Sequence, residues 1–187
     1  MTTHKSDIAS SIPDEPMTVT VRLRSGPSAV AERRQRRIVE RLETVADEAD
    51  EGDVAALRTG RWSDRVRVPV AEGSADVEAV TLYEELHAAV DEAGGRLHPF
   101  FQERETLDRS LDAADLTERA AADGERDIVF PVICLTIRRS GRLTGVYPCW
   151  IDGEHHSVED GLARLEAAAG VADPPPASTS GAAENLW

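Results

Sequence analysis

An α/β fold, with elements in the order β-α-β-α-β-β-β-α and one mixed sheet whose C-terminal hairpin is covered by helices, is what this sequence predicts. Three observations carry it. Apolar residues recur at helical spacing in three segments, short alternating stretches lie between them, and one nearly unbroken apolar run, Ile128 to Ile137, is followed by a turn and a second strand.

Thr18-Val19-Thr20-Val21-Arg22-Leu23-Arg24 alternates with period two, the mark of a half-buried strand. Ser25-Gly26-Pro27-Ser28 turns the chain into a helix whose apolar stripe is Ile38, Leu42, Val45 and Ala49. A second strand reads as Arg65 to Val70, with Pro69 placing it at an edge or a strand end. The second helix begins near Asp76, carries Ala79, Leu82, Leu86, Ala89 and Val90, and stops at Gly94-Gly95. Leu97 to Thr106 is the third strand, and 107–126 reads as an acidic, alanine-rich insertion. Asp127 to Trp150 predicts a central hairpin that turns at Arg139-Ser140-Gly141-Arg142. Ser157-Val158-Glu159-Asp160 caps the last helix, whose buried side is Val158, Leu162, Leu165 and Ala169. The domain therefore spans 17–170, with loose ends expected at 1–16 and at 171–187, where Pro174-Pro175-Pro176 runs into small polar residues. A proline followed by strand, turn, strand and helix is also the order of the second half of a thioredoxin-like fold, a likeness of layout only.

The 187 residues hold 35 acidic against 21 basic side chains, a formal net charge of −14, and Lys5 is the only lysine. A halophile's cytoplasm predicts both features. At molar salt the Debye length is about 3 Å, so a dense carboxylate surface repels itself little. Arginine, more weakly hydrated than an ammonium, forks onto carboxylates. A GC-rich genome would favour the same arginine, alanine and valine codons. No run approaches the ~18 apolar residues of a membrane span, and the polar stretch before Met17 lacks a signal peptide's apolar core, so the expected location is the cytoplasm.

Three constellations are candidate sites. Arg33, Arg34, Arg36, Arg37 and Arg41 cluster on the first helix of an otherwise acidic chain, and would suit phosphate, nucleic acid or an acidic partner surface. The alternative is a solvated face held by Glu32–Arg36, Arg36–Glu40 and acids from elsewhere. With a two-residue loop at Ser140-Gly141, position 134 faces 147, which puts Cys149 diagonal to Cys134 within about 7–8 Å. That admits a redox or metal-linked pair, although both cysteines lie in apolar runs and no C-x-x-C is present. His155 and His156, near Cys149 and Asp152, could supply part of a zinc shell, though neighbouring loop side chains point apart. No G-x-S-x-G, G-x-x-x-x-G-K-[ST] or H-E-x-x-H occurs, so no enzyme and no cofactor is expected.

From Thr18 to Ala168 the chain resembles a family of small haloarchaeal helix-turn-helix domain proteins. The resemblance rests on the strand before Ser25, on Arg34-Gln35 leading into Ile38-Val39-Glu40-Arg41-Leu42, and on Leu97-His98-Pro99-Phe100-Phe101. Pro131-Val132-Ile133-Cys134-Leu135, Gly145-Val146-Tyr147-Pro148-Cys149 and Val158-Glu159-Asp160-Gly161-Leu162 extend it. The chain departs from the family's pattern in the length of 107–126 and in the five acids between Asp47 and Asp53. The resemblance implies a regulatory module that binds DNA. Two other readings stay open beside it: a thiol or metal role through Cys134 and Cys149, and a surface for a protein partner or a second copy.

Overall fold

The computed structural model describes residues 17–49, 54–71, 73–74, 76–105 and 126–170. The expected loose ends at 1–16 and 171–187, and the insertion at 107–126 except its last residue, lie outside the described residues.

The alternating first segment is strand β1 (Met17–Arg24), its odd-numbered residues buried and its even-numbered residues half-buried. Helix α1 (Ala29–Glu48) follows, capped by Ser28, whose side chain accepts from the Ala31 N–H. The chain returns as β2 (Val54–Trp62), which pairs parallel with β1 in a β-α-β unit. Strand β3 (Arg65–Val68) and helix α2 (Asp76–Glu92) come next, then the short strands β4 (Gly95–Arg96) and β5 (Gln102–Glu105). The apolar run divides into β6 (Arg126–Val129) and β7 (Ile133–Arg139). Beyond it lie β8 (Arg142–Tyr147), β9 (Cys149–Ile151), β10 (Glu154–His156) and α3 (Val158–Ala168).

The fold class is α/β, as expected, but there are three sheets rather than one. The main sheet has the order β2-β1-β7-β8, and two three-stranded sheets, β10-β9-β4 and β3-β6-β5, flank it. Two breaks in the expected strands explain the difference. Phe130-Pro131-Val132 ends β6, so β6 pairs with β3 and β5 while β7 joins β1. The strand expected over 97–106 is likewise broken by a turn at His98-Pro99-Phe100. Strand β2 carries no alternation to announce it: Val54-Ala55-Ala56-Leu57 is an unbroken apolar run and Arg58-Thr59-Gly60-Arg61 an unbroken polar one.

Other elements match. The β7–β8 hairpin turns at Ser140 and Gly141, both with positive φ, the two-residue turn that suits twisted strands. Ile133 to Ile137 are all buried. Ser157 and Asp160 form the reciprocal cap of α3. In the main sheet β1 and β2 run parallel and β7 runs against both β1 and β8. Helices α1 and α3 cover one face of this sheet and α2 lies across the other. On the first face Val19, Val21, Leu23, Ile133 and Leu135 pack under Ile38, Leu42, Leu162 and Leu165. On the second, α2 closes a separate core of Trp62, Tyr83, Leu86, Phe101, Phe130 and both cysteines.

Candidate nucleic-acid interface

The basic cluster spans Arg33 to Arg41 of α1, and burial fixes how that helix is rolled. Gln35, Ile38, Leu42 and Val45 face the sheet. Buried Gln35 is satisfied because its amide donates to the carbonyls of Arg24 and Val132, both at 2.9 Å. That joins the helix to the end of β1 and the start of β7.

The five arginines then separate into two groups. Arg34 forks onto Glu159 through Nε and Nη2, both at 2.8 Å, and Arg41 forks onto Glu166, both at 2.7 Å. These forks tie α1 to α3. The Glu159 carboxyl is held below its usual value, first by the hydrogen bond from Arg34, and Arg34 is raised in return. Arg33, Arg36 and Arg37 are exposed and hold no carboxylate among the described residues. Neither Glu32–Arg36 nor Arg36–Glu40 forms, so the local pairs expected for a solvated face are missing. Val30, 69% exposed, shares the outer face with Arg33 and Arg37 at helical spacing. Glu40, Glu43, Asp47 and Glu48 make the second half acidic, so the unpaired positive charge of this helix is confined to its first half.

Burial weighs against the thiol reading. Cys134 and Cys149 are free and buried. Burial pushes the Cys134 thiol far up, and raises Cys149 to about 11. The expected register also fails: a bulge between Ile137 and Arg138 sets Leu135, not Cys134, opposite Tyr147. Cys149 belongs to β9 in another sheet. Among the described residues no group of three or more His, Cys, Asp and Glu side chains could hold a metal ion. His155 is instead part of an aromatic stack, 4.9 Å from the Phe100 ring and 5.5 Å from Trp150, with Arg96 over Trp150. His156 ends β10, paired with Cys149.

A cavity of about 400 Å³ opens beside the start of α1, lined among others by Arg24, Arg34, Phe100, Pro131, Pro148 and His155. Arg24 and Phe100 were not candidate site residues in the sequence, because they lie 76 positions apart and come to one cavity only in the folded chain. The chain matches the family described as a helix-turn-helix domain over residues 11–170. It belongs to this helix-turn-helix domain family. No curated protein and no solved structure matches it. Among the described residues, however, no two helices are joined by a short turn. Among these residues at least one strand separates each helix from the next, and α1 packs on a sheet. Among the described residues no helix is long and apolar enough to cross a membrane.

Proposed function

We propose that this helix-turn-helix family protein is a regulatory module that binds DNA through the first half of α1, acting by binding rather than by catalysis. The observation that supports it is the division of the arginines: two are consumed as struts to α3, and Arg33, Arg36 and Arg37 project without partners. Guanidinium groups fork onto phosphate oxygens, and the struts hold the helix that presents them. The remainder of a chain with net charge −14 repels DNA, so contact is restricted to this patch.

Three phosphate contacts predict that log K falls against log salt with a slope of roughly −2.7 per copy. Fluorescence anisotropy with labelled duplex DNA across a KCl series measures it. The triple variant Arg33→Glu, Arg36→Glu, Arg37→Glu should lose binding with an unchanged melting curve, because exposed charges contribute little to stability. An unaffected triple variant, or no binding by the intact chain to any duplex at any salt, refutes the reading and leaves a protein-interaction surface in its place.

A further inference from the structure

The geometry points to an oxyanion site on the opposite face of the main sheet, beneath α2, that takes the phosphate group of a small molecule. The strand register builds it. Thr20 on β1 pairs with Arg58 on β2 and with Thr136 on β7, so these three side chains share one face. One step along, Arg22 pairs with Gly60 and Cys134, and one step back Arg138 pairs with Thr18. Three guanidinium groups from three strands thus surround two hydroxyls. They line a cavity of about 320 Å³ that Leu82 of α2 helps to close.

Ion pairing does not use up this cluster. Glu78 accepts from Nη2 of Arg22, and Glu85 accepts from Nη2 of Arg138 at 2.6 Å. Two acids thereby steady two arginines from the α2 side, seven residues apart on the helix. Arg58 has no carboxylate partner among the described residues. The Nε–H of Arg22 is buried and has no acceptor, so the cavity has more donors than acceptors. Gly60 is part of the construction: a Cβ there would lie 2.8 Å from Nη1 and 2.9 Å from Cδ of Arg22. The glycine therefore lets that side chain lie flat across β2.

The donors suit phosphate better than carboxylate. A planar carboxylate is saturated by one guanidinium fork, whereas a tetrahedral phosphate presents oxygens in several directions to donors on separate strands. The volume falls at the lower end of small-molecule pockets, roughly 300–1,000 Å³, leaving room for a sugar-sized body. Because α1 packs on the other face, the site does not depend on the DNA-binding reading.

Isothermal titration with inorganic phosphate, ribose 5-phosphate and acetate at constant KCl tests it. Saturable binding of both phosphate probes, none of acetate, and at least tenfold weaker binding by Arg58→Gln are expected. Arg58 is exposed, so this variant should keep its melting curve; Arg142→Gln, at an exposed position outside both arginine groups, should leave phosphate binding unchanged. No saturable signal, equal binding of acetate, or undiminished binding by Arg58→Gln overturns the proposal. A short DNA duplex that displaces phosphate would assign these arginines to a nucleic-acid backbone, and would equally overturn it.

Discussion

Replacing Gly161 of α3 by alanine sets two effects against each other. Alanine is favoured over glycine inside a helix by about 1 kcal/mol. The added Cβ, however, would lie 2.6, 2.7 and 2.9 Å from Cδ2, Cγ and Cε2 of Tyr147. Carbon atoms pack best at roughly 3.5–4.0 Å, so the methyl overlaps three ring atoms by about 1 Å. The ring has little freedom to move. It is 5% exposed, its hydroxyl accepts from Arg164 at 3.1 Å, and Gly145 approaches it closely, with Cε2 3.1 Å from a Cβ built there. Overpacking of this kind costs about 1–3 kcal/mol, and we take the upper part of that range because the obstacle is a buried ring. The net expectation is destabilisation by about 1–2 kcal/mol, a fall in Tm of roughly 2–8 °C for a domain of this size. Thermal unfolding followed by circular dichroism measures it. In a Tyr147→Ala background the clash is gone, and Gly161→Ala should be neutral or stabilising. A higher Tm for Gly161→Ala in the intact chain would show that α3 does not sit against Tyr147 at this distance.

Two further outcomes follow from the titrating groups. Glu159 and Glu85 are held below the usual carboxylate value, foremost by hydrogen bonds from Arg34 and Arg138. The unfolded chain therefore takes up their protons first. Their contribution is complete above about pH 5 and drains away as pH falls through about 4 toward the folded-state values. Urea unfolding of Arg34→Gln should accordingly show a larger loss at pH 7 than at pH 3, and an equal loss at both would refute the strut. With Cys149 raised to about 11, roughly a thousandth of it is thiolate at pH 8. Both thiols should resist a thiol reagent until the chain is unfolded, and rapid labelling of the native protein would contradict their burial.

Features governed by neighbours along the chain were legible in the sequence. Ser140-Gly141, the Ser157–Asp160 cap and the helix stop before Gly94-Gly95 each depend on a few adjacent residues, and each sits where its local chemistry puts it. Features governed by distant partners were not. Nothing near Arg34 or Arg41 announces Glu159 or Glu166, each 125 residues away. Strand β2 is held by its parallel pairing with β1 rather than by a pattern of its own. One bulge residue in the hairpin was enough to move Cys134 off its expected partner. The alternation of Thr18, Thr20 and Arg22 did signal a polar face. It took the sheet to show that Arg58, Thr136 and Arg138 share it, and the same distance in sequence hid the Phe100–His155 stack.

The two forks between α1 and α3 also act as a ruler. Arg34 and Arg41 are seven residues apart, as are Glu159 and Glu166, so the helices run side by side in the same direction and meet at matched intervals of about two turns. Sliding α3 by one turn would bring Ala163 to Arg34 in one direction and Leu162 to Arg41 in the other. Neither position offers a carboxylate, so one axial alignment satisfies both arginines and neither neighbouring one does. The height at which Arg33, Arg36 and Arg37 emerge from the molecule is thereby indexed to the last helix, by side chains that face away from whatever the others touch.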